Sequence, residues 1–77
     1  MLVEIYTYYD RVACSYGDLK LFTKQELAER SFDYELSKAP FAEDIELYKL
    51  GTYDIETGVI TVFDKPLFIK KFVKKEQ

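Results

Sequence analysis

Histidine and tryptophan are absent from this 77-residue sequence, cysteine occurs once, and only two prolines and three glycines punctuate it. Without histidine the chain lacks the commonest general base and metal ligand, and the single Cys14 cannot complete a zinc site. No nucleophile, base and orienting group come together along the sequence, so no catalytic activity, metal or cofactor is expected. Gly17, Gly51 and Gly58 lie singly, whereas a phosphate-binding loop clusters its glycines. The carboxylates of Glu43, Asp44, Glu46, Asp54 and Glu56 lack the spacing of a calcium loop and read as solvated turn residues. One thiol also excludes an internal disulfide, so folding needs no oxidation and a reducing cytosol is the expected compartment. Long apolar runs are missing as well. None approaches the roughly 18–20 residues of a membrane span, and Glu4 puts a charge where the apolar part of a secretory signal would lie.

What the sequence does contain is aromatic and apolar material in excess of its size. Seven Tyr and six Phe bring the aromatic share to 17% and the hydrophobic share to 48%. A chain this short buries only about 60% of the surface its unfolded form exposes. Some aromatics must therefore be exposed or buried against a partner, and a homo-oligomer, most simply a homodimer, is expected. The net charge of −3 conceals a division: residues 1–64 carry six basic against thirteen acidic side chains, and residues 65–77 carry five against one. The sequence reads as a single α+β domain over residues 1–64, followed by a basic amphipathic C-terminal tail over residues 65–77.

Glu46–Phe63 reads as a β-hairpin, with β-branched and aromatic runs flanking Asp54-Ile55-Glu56-Thr57-Gly58. There Asp suits the first turn position and Gly58 a left-handed one. Val3–Asp10 alternates like a strand with two faces, Arg11–Asp18 has no period and reads as a loop, and Leu19–Phe22 reads as a short extended piece. Thr23-Lys24-Gln25-Glu26 has the form of a capping box opening a helix, with Ala28, Phe32, Leu36 and Ala39 on one stripe and Pro40 ending it. The expected fold is thus α+β in β-β-α-β-β order, a small antiparallel or mixed sheet of three to four strands with one helix on one face. Ile60 and Val62 oppose Val59, Thr61 and Phe63, so the last strand is apolar on both sides and one side needs a partner. Beyond Pro66, Phe68, Ile69, Phe72 and Val73 would separate from Lys70, Lys71, Lys74 and Lys75 on a helix.

Two binding candidates follow. Tyr6, Tyr8 and Tyr48 on strands could stack bases of single-stranded nucleic acid, although the acidic body disfavours phosphate. The lysines at 70, 71, 74 and 75 form the better phosphate-binding set. Against both stands a protein-interaction surface built on Ile60, Val62, Phe68 and Phe72.

Ile5-Tyr6-Thr7-Tyr8-Tyr9-Asp10, Ala28-Glu29-Arg30-Ser31-Phe32 and Leu47-Tyr48-Lys49-Leu50-Gly51-Thr52-Tyr53-Asp54 with Gly58-Val59-Ile60 resemble the small nonstructural protein of gokushoviruses. These are microviruses, bacteriophages with circular single-stranded DNA genomes. The resemblance spans most of residues 3–62 and leaves the segment after Pro66 outside it. It implies a nonenzymatic protein of the infected host's cytoplasm that binds DNA during genome replication or packaging, with no membrane association. The alternative expectation is an interaction module that engages a phage or host protein through the uncovered sheet face.

Overall fold

A computed structural model describes residues 1–74 and shows an antiparallel, curled five-stranded sheet with one helix, an α+β fold. The strands are β1 (Leu2–Asp10), β2 (Ser15–Tyr16), β3 (Lys20–Phe22), β4 (Ile45–Asp54) and β5 (Ile60–Lys71); α1 (Gln25–Leu36) and a 3-10 turn (Ala42–Asp44) connect β3 to β4. β1 and β4 are central, β2 and β3 share the outer side of β1, and β5 forms the other edge.

The hairpin between β4 and β5 closes as its residues dictate. The Asp54 carboxylate accepts the Glu56 N–H at 2.9 Å, and the Asp54 carbonyl accepts the N–H of Gly58, which sits at φ 77°. That left-handed conformation is one glycine adopts without steric cost. Asp54 N–H then donates to the Val59 carbonyl at 2.9 Å and starts the ladder.

The expected basic tail is not separate from the domain, and residues 68–71 are not helical. β5 runs through Pro66 to Lys71, pairing Tyr48 with Phe68, Leu47 with Lys70 and Glu46 with Lys71. Proline is accommodated because β5 is an edge strand and Pro66 falls in a bulge, where Phe63–Pro66 on β5 face only Leu50 between the pairs Gly51–Val62 and Lys49–Leu67. Backbone pairing with β4 and burial of Phe72 beneath the helix outweigh the weak helical preference of so short an amphipathic segment.

The capping box does not form either. Lys24 is the extended N-cap residue and makes no side-chain cap bond, so the helix starts one residue later than the Thr23 reading requires. Its end is also earlier, at Leu36: Ser37 donates the last helical bond to the Asp33 carbonyl, and Lys38 and Ala39 then donate to the Glu35 and Leu36 carbonyls in tighter turns.

The helix buries Ala28, Phe32 and Leu36 against Tyr6, Leu47, Ala42 and Phe72, the principal core. Edge-to-face aromatic pairs run through it, with ring centroids 5.2 Å apart for Tyr8 and Phe32, 5.9 Å for Tyr6 and Phe22, and 6.4 Å for Phe32 and Phe72. Twelve helical residues span only about 18 Å, whereas the molecule is 44 Å long. The β4–β5 hairpin therefore projects beyond helical cover. On the helix-free face Val3, Ile5 and Thr7 of β1 are buried all the same; the Thr7 hydroxyl lies 3.1 Å from the carbonyls of both Gly17 and Asp18 and ties that loop across the strand. Among the described residues, no helix is long and apolar enough to cross a membrane.

Candidate nucleic-acid interface

Side chains on one sheet face belong to residues directly opposed in the ladders. On the helix-free face, register places Tyr16, Tyr9, Glu46 and Lys71 in one cross-strand row and Thr7, Tyr48 and Phe68 in the next. Tyr9 meets Tyr16, and Tyr48 meets Phe68, directly across the strands, and Tyr48 joins the two rows diagonally. Tyr9 and Tyr16 have centroids 4.6 Å apart, Tyr9 and Tyr48 6.0 Å, Tyr16 and Tyr48 5.6 Å, and Tyr48 and Phe68 5.7 Å. Four aromatic rings from four strands thus form a continuous stripe, with Tyr16 and Phe68 exposed and Tyr9 and Tyr48 half-buried.

The stripe depends on a tight connection between β1 and β2. The Asp10 carboxylate accepts the N–H groups of Val12 and Ala13 at 2.9 and 3.1 Å, and Cys14 takes the left-handed conformation, φ 57°, that returns the chain. Ser15 then pairs with Asp10 and Tyr16 lies over Tyr9. Across the stripe the Tyr48 hydroxyl donates to Glu46 Oε1 at 3.1 Å. Partial burial, followed by the hydrogen bond to Glu46, raises the Tyr48 pKa. Partial burial, followed by the Cys14 thiol, raises that of Tyr9. Both phenols remain neutral hydrogen-bond donors throughout the physiological range.

The tyrosines named from sequence separate here. Tyr48 is in the stripe, but Tyr6 is buried beneath the helix with its hydroxyl donating to Glu4 Oε1 at 2.6 Å, and no base can reach its ring. Tyr8 is also on the helix side, its ring against Phe32 and its hydroxyl buried without a partner among the described residues. Burial pushes the pKa of both well above the usual tyrosine range, with Glu4 the next cause for Tyr6 and Glu35 for Tyr8. Tyr9 and Tyr16 are the residues sequence reading missed.

The lysines separate as well. Lys70 points to the helix side and pairs with Asp33 at 2.9 Å. Lys71, beside Glu46 on the stripe face, and Lys74 have no ion-pair partner among the described residues. Lys75 lies outside the described residues. Of the apolar candidates, Phe72 is core, Phe68 is in the stripe, and Ile60 and Val62 are exposed on the β5 edge. The arrangement offers flat π-faces and neutral phenols with one cation, Lys71, on the same face, a surface suited to stacking more than to holding a dense row of phosphates; Lys74 lies with Asp33, Tyr34 and Ser37 at the helix C-terminal end.

The family model described as Phage ORF5 protein matches residues 3–74, which includes the helix, all four rings of the stripe and all of the sheet but Leu2 at the start of β1. No curated protein and no solved structure matches the chain.

Proposed function

Since the chain belongs to the phage ORF5 protein family, we propose that it is a nonenzymatic phage protein that binds single-stranded DNA across its helix-free face. The observation carrying this reading is the Tyr16–Tyr9–Tyr48–Phe68 stripe. A protein that binds single strands without sequence preference needs exposed rings on which successive bases stack and a few cations along the backbone path. Lys71, opposite Glu46 on the same face, supplies the second element. Duplex DNA keeps its bases stacked on one another, so the same face offers it little. In this reading the chain acts in the cytoplasm of the infected bacterium during genome replication or packaging of a gokushovirus-like microvirus, the class its sequence resembles.

The test is fluorescence anisotropy with a labelled single-stranded oligonucleotide and its duplex at two salt concentrations. Preference for the single strand is expected. With one phosphate contact, log affinity should fall with log salt at a slope of about −0.7. Equal binding of duplex and single strand would oppose a stacking mechanism. An absence of binding even at low salt would shift the assignment to the second reading, docking of a phage or host protein, which the apolar exposure of β5 favours.

A further inference from the structure

Among the described residues, β5 leaves its outer edge open over a segment whose composition and register fit a second copy of itself. The residues Val59-Ile60-Thr61-Val62-Phe63 are uncharged, and Val59, Ile60, Val62 and Phe63 are 58%, 59%, 68% and 40% exposed although they lie in or beside a strand. Natural edge strands are ordinarily guarded by charge, proline or a bulge. Here the charged and proline guards, Asp64, Lys65 and Pro66, begin only after Phe63, where β5 enters its bulge, and bound the segment.

The ladder fixes which backbone groups are free. Asp54 N–H donates to the Val59 carbonyl, and bonded pairs in an antiparallel ladder recur at every second residue. The next bonded pair with β4 is therefore Thr52–Thr61, so Ile60 and Val62 turn their N–H and C=O groups to the open edge. We infer that two copies of the chain pair antiparallel through β5, centred on Thr61, to form an isologous dimer with one continuous sheet.

In this register Ile60 of each copy exchanges two backbone hydrogen bonds with Val62 of the other, Val59 faces Phe63, and the Thr61 residues meet on the two-fold axis. All five uncharged residues then oppose uncharged residues, and Asp64 falls opposite Gly58. Centring on Val62 would instead set Asp64 against Ile60, and centring on Ile60 would leave Phe63 opposite Thr57. The two-fold axis runs perpendicular to the sheet, so both helix-free faces and both aromatic stripes lie on the same side. The inference itself rests on the edge and not on the nucleic-acid reading, and its test needs no DNA.

Sedimentation velocity of the full chain from low to high micromolar concentration should show a monomer–dimer equilibrium, and Val62→Lys should shift it to monomer while circular dichroism stays unchanged. In a Cys14→Ser background, Thr61→Cys should form a disulfide-linked dimer on mild oxidation, because Cα atoms in a non-bonded antiparallel pair are about 4.5 Å apart, within disulfide reach. Val59→Cys and Val62→Cys, which the register opposes to Phe63 and Ile60, should crosslink poorly. Should Val62→Lys fail to fold, amide exchange in the wild type remains decisive: the Ile60 and Val62 amides gain protection as concentration rises. A monomer at every concentration, or those two amides exchanging freely in a dimer, would overturn the proposal. Equal crosslinking at all three positions would overturn its register.

Discussion

Gly51 and Thr61 are in such close backbone approach that a Cβ on Gly51 would collide with the Thr61 carbonyl oxygen and lie 2.8 Å from the Val62 Cα. Neither obstacle is the end of a flexible side chain, so any larger residue must push β5 away from β4. Gly51→Ala should lose about 1–3 kcal/mol, as overpacked sites do, read as a lower urea midpoint. An unchanged midpoint would mean that β5 yields freely at its bulge.

Phe72 separates two accounts of the C-terminal segment. As part of a detachable docking tail it would be truncated at no cost to folding. Buried against Phe32 with ring centroids 6.4 Å apart, it should instead cost about 3–5 kcal/mol when replaced by alanine. In a domain of this size that leaves little folded protein at room temperature, and thermal melting followed by circular dichroism reads it directly.

The lysines of β5 should divide in a salt titration. Lys70 is half-exposed and held by Asp33, so Lys70→Gln should cost folding less than about 1 kcal/mol and leave the slope of single-stranded DNA affinity against salt nearly unchanged. Lys71→Gln should flatten that slope by about 0.7, whereas Lys74→Gln, beside the helix C-terminal end, should leave it nearly unchanged. An equal effect at all three positions would place phosphate on the helix side of β5.

Alkaline stability should follow the tyrosines. Tyr6, Tyr8, Tyr9 and Tyr48 all have raised pKa values, burial being the first cause of each. Below the ordinary tyrosine pKa of about 10 these groups are protonated in both folded and unfolded chains, and their contribution is complete. Above it the unfolded chain ionises first, so it binds fewer protons than the folded one and stability falls with rising pH, by up to about 1.4 kcal/mol per pH unit for the buried Tyr6 alone. Urea midpoints at successive pH values above 9 should decline. A flat profile would mean that the tyrosine hydroxyls, Tyr6 first among them, are not withdrawn from water in the folded chain.

How much was legible in the sequence depended on where the decisive interactions lie. The β4–β5 hairpin could be read because Asp54 and Gly58 encode their turn locally, and the helix face could be read because Ala28, Phe32 and Leu36 recur at helical spacing. The β1–β2 hairpin was hidden, since its left-handed position is held by Cys14 where Gly or Asn would have signalled a turn. That hid Tyr16, one of the four rings of the stripe. Tyr6 and Tyr8 alternate with Tyr9 on one strand, and only tertiary packing decides which face the helix covers. Lys70 and Phe72 read as opposite faces of an amphipathic tail helix because β4, their partner, lies more than twenty residues away in sequence, and local periodicity cannot register such a pairing.

Single-strand affinity after loss of the exposed rings tests the central claim most directly. Tyr48→Leu and Phe68→Leu keep apolar bulk on the sheet but remove the π-faces, and each should lower the affinity for an unstructured oligonucleotide by about 5- to 150-fold, the equivalent of 1–3 kcal/mol per stacked base. Circular dichroism spectra should be unchanged, and Tyr34→Leu, an exposed ring on the helix away from the stripe, should leave affinity at the wild-type value. Wild-type affinity in both stripe variants, or equal loss in the Tyr34 control, would contradict the assignment of the helix-free face as a base-stacking surface.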